Sequence, residues 1–171
     1  MVSSLAVFAL VVALSALLVT RQPVSVATSA PSPLLGRVAP NIAGRELGGG
    51  HFSLAAERGN IVVVNFWASW CGPCVHEAPE LSSFAWQTRQ RGVVVVGVVF
   101  NDTLNAAAAF ARHYGSLYAS LVDPGGLIAN RYGVTSPPTT FIIDRHGRVA
   151  ATLLGATTAS QLRAVVARVR S

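Results

Sequence analysis

The two cysteines of this 171-residue chain stand in one motif, Cys71-Gly72-Pro73-Cys74, and its setting constrains the fold more than any other stretch. An apolar, β-branched run, Ile61 to Val64 and then Phe66, precedes it, and a helical pattern follows. Such a run reads as a strand buried on both faces. Two thiols at i and i+3 on the first turn of a helix can close a small disulfide ring. The unpaired N–H groups and positive dipole end of that helix stabilise a thiolate, the attacking species in disulfide exchange. Cys71, nearer the helix start, is expected to be the exposed nucleophile, and Cys74, one turn in, the buried resolving thiol. Trp70 is placed to cover the sulfurs, and Gly72-Pro73 suits a tight strand-to-helix turn.

Other uses of two cysteines fit less well. A C-x-x-C is also half of a zinc site, but structural zinc needs four ligands, and there is no second C-x-x-C or close His pair. A c-type haem site needs C-x-x-C-H, and Val75 stands where that His would be. Copper delivery needs C-x-x-x-C with a distal His, and peroxiredoxins set their peroxidatic cysteine in a different motif. A purely stabilising disulfide gains little from so short a loop. The strand before the motif and the helix after it favour redox chemistry.

Val64-Asn65-Phe66-Trp67-Ala68-Ser69-Trp70-Cys71-Gly72-Pro73-Cys74 closely resembles the active-site stretch of thioredoxin-like proteins. Glu77-Ala78-Pro79-Glu80-Leu81, Asp123-Pro124-Gly125-Gly126 and Gly133-Val134-Thr135-Ser136-Pro137-Pro138-Thr139-Thr140-Phe141-Ile142-Ile143-Asp144 narrow the resemblance to the TlpA/ResA/CcmG (DsbE) branch. It spans roughly residues 38 to 170. The branch comprises membrane-tethered or secreted thiol-disulfide oxidoreductases, several serving cytochrome c maturation.

The resemblance implies a thioredoxin fold: an α/β domain with a mixed central β-sheet flanked by helices. It implies a redox-active disulfide between Cys71 and Cys74 and no cofactor or metal. Pro138 matches the proline whose preceding peptide bond is cis and whose loop lies opposite the cysteines. In relatives the residue before it offers N–H and C=O to the substrate peptide; Pro137 has no N–H, so one donor is missing. Trp70, Pro137 and Pro138 are the expected substrate-binding residues. Asn65 stands where thioredoxins carry a buried aspartate that assists proton transfer, and Asn cannot titrate. Glu77 matches the glutamate that the branch keeps near its thiols. A carboxyl partly buried there would have a raised pKa and could shuttle a proton. Glu80 is expected on the surface, and His76 at an exposed helix position.

Along the chain, Val2 to Thr20 carries no charge and is almost wholly apolar. It is near the lower limit for a bilayer span and reads as a signal peptide or membrane anchor, with a small-residue cleavage site after Ser25-Val26-Ala27. No Lys or Arg precedes it while Arg21 follows, which by itself favours the reverse orientation. Residues 21–36 are rich in Pro, Ser, Ala and Thr and read as a linker; 37–171 form the domain. Strands are expected at His51–Leu54, Ile61–Asn65, Val93–Phe100, Leu117–Val122, Thr139–Ile143 and Val149–Leu154, the last two joined as a hairpin. His51 itself reads as a loop residue. Helices are expected at Pro79–Arg89, Leu104–Tyr114, Leu127–Tyr132 and Ala159–Arg170.

The net charge of +6 comes from 13 arginines scattered from Arg21 to Arg170, with no basic block, which argues against nucleic-acid binding. The whole reads as an extracytoplasmic thiol-disulfide oxidoreductase, membrane-anchored or secreted, on the outer face of the cytoplasmic membrane, with membrane association through the N-terminus. The implied partners are protein disulfides or dithiols, apocytochromes c among them, and a membrane redox donor or acceptor. A general oxidase of secreted proteins is the alternative, and a metal-binding carrier without turnover a distant one.

Overall fold

The computed structural model describes residues 27–170. The apolar run expected at 1–20 and the first part of the expected linker, 21–26, lie outside the described residues. In chain order the elements are β1 (Thr28–Ser29), β2 (Ala43–Arg45), β3 (His51–Ser53), β4 (Ile61–Trp67), α1 (Gly72–Thr88), β5 (Val93–Val99), α2 (Leu104–His113), β6 (Ala119–Val122), α3 (Leu127–Tyr132), β7 (Thr139–Ile143), β8 (Val149–Leu154) and α4 (Ala159–Arg170).

β4 is the axis of the molecule. All seven of its residues are buried, because side chains alternate between two covered faces. Val62, Val64 and Phe66 enter a core with Ile42, Phe52, Ile128, Tyr132 and Phe141, beneath α3 and the β2–β3 hairpin. Ile61 and Val63 enter another, with Leu81 and Phe84 of α1 and Leu162 and Val166 of α4. Six strands form one mixed sheet in the order β1-β8-β7-β4-β5-β6. β4, β5 and β6 are parallel, while β7 runs antiparallel to β4 and β8 to β7. The strand order and helical layers give the expected α/β architecture.

Two expectations are corrected. The helical span expected over Pro79–Arg89 is continuous with the helix expected at the cysteines: one helix runs Gly72–Thr88 and carries Pro79 in its interior. A proline there removes the bond to the carbonyl four residues back, here that of Val75, and crowds that carbonyl; the burial of Leu81 and Phe84 holds the helix together. The second correction concerns the linker. Residues 27–36 lie against the sheet: Thr28 and Ser29 pair with Leu154 and Leu153, and Leu35 bridges Val149. The outer edge of β8 offers unpaired backbone groups, and an extended, proline-containing segment satisfies them. His51, expected in a loop, is an exposed residue of β3 opposite Arg45.

A polar row crosses the sheet. Thr140 of β7, Asn65 of β4, Gly97 of β5 and Ser120 of β6 stand side by side in register. Gly97 has no side chain because Trp67 occupies that space: a Cβ there would lie 2.5 Å from the indole nitrogen. That nitrogen donates to Ser120 Oγ at 3.2 Å. The packing fixes Trp67, and with it the point where β4 hands over to the cysteine loop.

Candidate active site

The chain leaves β4 at Trp67 and turns once, Cys71 N–H donating to Ala68 C=O at 3.2 Å, before α1 starts. Cys71 is the N-cap of α1, with extended backbone (φ −82°, ψ 107°). Its Sγ accepts the Cys74 N–H at 3.2 Å. Pro73 falls in the first turn, where no helical N–H is required. Cys71 and Cys74 are joined as a disulfide, S–S 2.02 Å. Cys71 was expected to be exposed, yet in this disulfide form it keeps 4% of its surface and Cys74 2%. Both sulfurs pack in a cluster with Trp67, Ala68, Ala78 and Val99, to which Ala107 and Phe110 of α2 contribute.

Glu77 lies one turn beyond Cys74 on the same helix face and is 1% exposed. Its Oε1 accepts both the backbone N–H of Thr157, at 3.0 Å, and the Thr157 hydroxyl, at 2.7 Å. Its Oε2 accepts from Asn65 Nδ2 at 3.0 Å. Asn65 Nδ2 also donates to Thr140 Oγ1 at 3.0 Å, which leaves Asn65 Oδ1 buried without a partner among the described residues. Burial pushes the Glu77 carboxyl above its ordinary value of 4.5, against the hydrogen bonds from Thr157 and Asn65, which pull it down. Glu77 is therefore a buried carboxyl with a raised pKa, one turn along α1 from Cys74. Asn65, in the polar row, orients it without titrating. Glu80, expected on the surface, is half-buried, and its Oε2 accepts from Ala159 N–H at 2.8 Å at the start of α4. His76 is exposed.

The Pro137–Pro138 peptide bond is cis, as the resemblance implied. It precedes β7, whose first residues pair with Phe66 and Asn65, so the loop lies at the same end of the sheet as the cysteines. Trp70 is 57% exposed. Its indole N–H donates to Asn101 C=O at 3.0 Å, and its ring tilts against Phe100. Beyond it a cleft of about 940 Å³ opens between loop 100–105, the ends of β5 and β6, and α3. Among the described residues, no three His, Cys, Asp or Glu side chains gather as a metal site.

Residues 35–152 match the model of the AhpC/TSA family. The chain belongs to the AhpC/TSA family. This AhpC/TSA protein is 31% identical over 135 residues to the thiol-disulfide oxidoreductase ResA of Bacillus anthracis, covering 79% of this chain and 78% of that one. Against the thiol:disulfide interchange protein HelX of Rhodobacter capsulatus it is 38% identical over 128 residues, 73% of this chain and 70% of the other. The crystal structure of a DsbE-type thiol:disulfide interchange protein from Chlorobium tepidum superposes with a TM-score of 0.74 at 29% identity, over 80% of this chain and 98% of that one. The fold is thioredoxin-like, and this AhpC/TSA protein is a thiol-disulfide oxidoreductase.

Three residues of the site were not anticipated from the sequence. Thr157 and Thr140 reach the Glu77–Asn65 pair from distant strands and loops, and nothing local marks them. Asp102 binds the cysteine loop; the pattern Asp102-Thr103 before Leu104 signals a helix start, but not that contact.

Proposed function

We propose that this oxidoreductase works outside the cytoplasm, reducing disulfides of exported proteins, with the disulfides of apocytochromes c as the substrate class. Cys71 attacks and Cys74 resolves. The observation that carries this reading is the Cys74 N–H on Cys71 Sγ at the mouth of α1, one turn from a buried carboxyl. The Cys71 thiolate attacks one sulfur of the substrate disulfide, forming a mixed disulfide and expelling the other substrate sulfur as a thiolate, which takes a proton. Cys74 then loses its proton and attacks Cys71 Sγ, releasing the second substrate thiol. Two electrons pass to the substrate and the Cys71–Cys74 disulfide re-forms. Glu77, as carboxylate, accepts the Cys74 proton. A carboxyl with a raised pKa lies closer to a thiol, which makes the transfer less uphill.

The Gly72-Pro73 dipeptide, one determinant of the direction among several, supports the reducing reading, since Cys-Gly-Pro-Cys is also the thioredoxin motif, whose potential is near −270 mV. The substrate class and the location follow from the branch the chain resembles and from the apolar run at 1–20, read as signal or anchor. Trp70, Pro137 and Pro138 form the surface on which the substrate peptide lies. A membrane redox protein restores the dithiol.

The test is a trapping experiment. Cys74→Ala leaves the mixed disulfide without an internal thiol to release it, so it accumulates, whereas Cys71→Ala traps far less. Captured apocytochromes bearing C-x-x-C-H support the proposal, and a broad set of secreted cysteine proteins points to a general oxidase. Equal trapping through either cysteine overturns the roles. A reporter fused after Ser171 that is active only in the cytoplasm overturns the location.

A further inference from the structure

The loop that carries Cys71 is bound on one side by the segment that follows β5. Phe100 N–H donates to Trp67 C=O at 2.8 Å, and Trp70 donates to Asn101 C=O. The shortest of these bonds is ionic in character: Asp102 Oδ2 accepts the Ser69 N–H at 2.6 Å, while its Oδ1 accepts the N–H of Thr103 at 2.7 Å. Asn101 takes a positive φ of 44°, a conformation that Asn tolerates, and the chain there turns so that both contacts form. Thr103 Oγ1 then caps α2 through Ala106 N–H, fixing the other side of Asp102.

Ser69 and Trp70 are the central residues of the turn closed by Ala68 C=O and Cys71 N–H. Asp102 is thus bonded into the same turn that delivers Cys71 to the start of α1. That end of a helix stabilises a thiolate through its unpaired N–H groups and dipole. A carboxylate at the same end opposes that field, and it is half-buried, where solvent screens it only in part.

We propose that Asp102 is a positioning residue that tunes the redox pair: its carboxylate, bonded into the cysteine turn, disfavours the Cys71 thiolate and keeps the pair a reductant. A pair whose reduced form gains from a stabilised thiolate is an oxidant; one without that gain donates electrons. The inference rests on Cys71 being the attacking thiol. Other ionisable groups surround the pair. α1 supplies Cys74, His76 and the buried Glu77; α2 ends in His113, which lies against Tyr114, the residue after the helix, itself packed on Phe110. Glu46 lies beside Leu47, which packs on the cysteine cluster, and loop 134–138 supplies no ionisable side chain. Of these, among the described residues, only Asp102 hydrogen-bonds into residues 68–70.

The experiment titrates the single thiol of full-length Cys74→Ala protein by its thiolate absorbance, with and without Asp102→Asn. It also equilibrates the two-cysteine protein with glutathione. Thermal unfolding identifies the folded variants, and Asp102→Ser, uncharged but with an acceptor, stands beside Asp102→Asn. Both uncharged variants are expected to lower the Cys71 titration by about half a unit to one unit. Both are expected to shift the glutathione equilibrium about three- to tenfold toward the dithiol. Asp102→Glu, which keeps the charge, is expected to stay with wild type. No shift, or a shift upward, in the uncharged variants overturns the proposal, as does an Asp102→Glu shift as large as that of Asp102→Asn. If instead Cys74 in Cys71→Ala proves the more acidic thiol, the assignment of the attacking cysteine fails, and the Asp102 inference falls with it.

Discussion

The backbone N–H of Cys74 donates to the sulfur of Cys71 across 3.2 Å, so the sulfur sits where a serine or aspartate oxygen sits in an ordinary helix cap. A cap is a place for an acceptor, and a thiolate is a better acceptor than a thiol. The contact therefore biases this one sulfur toward ionisation, although both cysteines are almost fully enclosed.

The two cysteines should differ in acidity in a way their burial does not suggest. In Cys74→Ala, Cys71 is expected to titrate below the ordinary thiol value of about 8.5. In Cys71→Ala, Cys74 lies inside the helix, without the cap position, and is expected to titrate above it. At pH 7 iodoacetamide should alkylate Cys71 in the first variant about tenfold faster than Cys74 in the second. Comparable rates would show that the cap does not distinguish them.

Glu77 links the site to stability through pH. The unfolded chain releases its proton near 4.5, while the folded chain holds it higher because burial disfavours the carboxylate. Between those two values the native state binds more protons, so the stability contributed by this group is full below 4.5 and is lost as pH rises through the folded pKa. Glu77→Gln has no such proton. Its melting temperature relative to wild type is expected to rise from pH 4.5 upward, and its resolving step to slow on the order of 10- to 100-fold. Parallel melting curves across pH, with unchanged exchange rates, would reduce Glu77 to a buried structural group.

The core of the fold was legible because its signals are local. β4 and the β7–β8 hairpin are continuous apolar or alternating runs, and α4 has one apolar face, Leu162 and Val166 among its buried residues. β1 and the β2–β3 hairpin were not fully legible, since strands of two and three residues carry little periodicity. The open edge of β8, not their own composition, decides where residues 27–36 go. Pro79 split the span because proline usually marks a helix start, whereas the helix that starts at the cysteine turn runs through it. Within the site the cysteines, the cis proline and Glu77 could be named from their motifs. Thr157 lies 80 residues from Glu77 and Asp102 lies 33 from Ser69, so neither contact is visible before the chain folds.

Trp67 and Gly97 form a mutual constraint that joins the sheet to the site. A methyl group at position 97 would meet the indole nitrogen at 2.5 Å and the hydroxyl of Ser120. These neighbours belong to packed strands and cannot retreat freely. Gly97→Ala is expected to cost about 1–3 kcal/mol of stability, read as a lower denaturation midpoint at unchanged slope. Because Trp67 precedes the cysteine turn, the same variant should also change the reactivity of Cys71. A fully stable Gly97→Ala protein would show that the indole can move aside.

Thr157 offers the sharpest separation of structure from chemistry. Among the described residues it supplies two of the three donors to Glu77, one from its backbone and one from its hydroxyl. Thr157→Val removes the hydroxyl donor and little volume, leaving the backbone bond in place. Fewer donors favour the carboxylate less, so the Glu77 carboxyl should move still further above 4.5 than in wild type. Thr157→Ser keeps the donor and loses only a methyl group. The pH profile of the resolving step should therefore shift upward in Thr157→Val and stay near wild type in Thr157→Ser. Both variants should lose about 1 kcal/mol of stability, one through a hydrogen bond and the other through packing. Equal stability losses with divergent pH profiles assign the hydroxyl to the titration of Glu77. Identical profiles in the two variants would leave Thr157 as packing alone and remove the hydroxyl from the account of proton transfer.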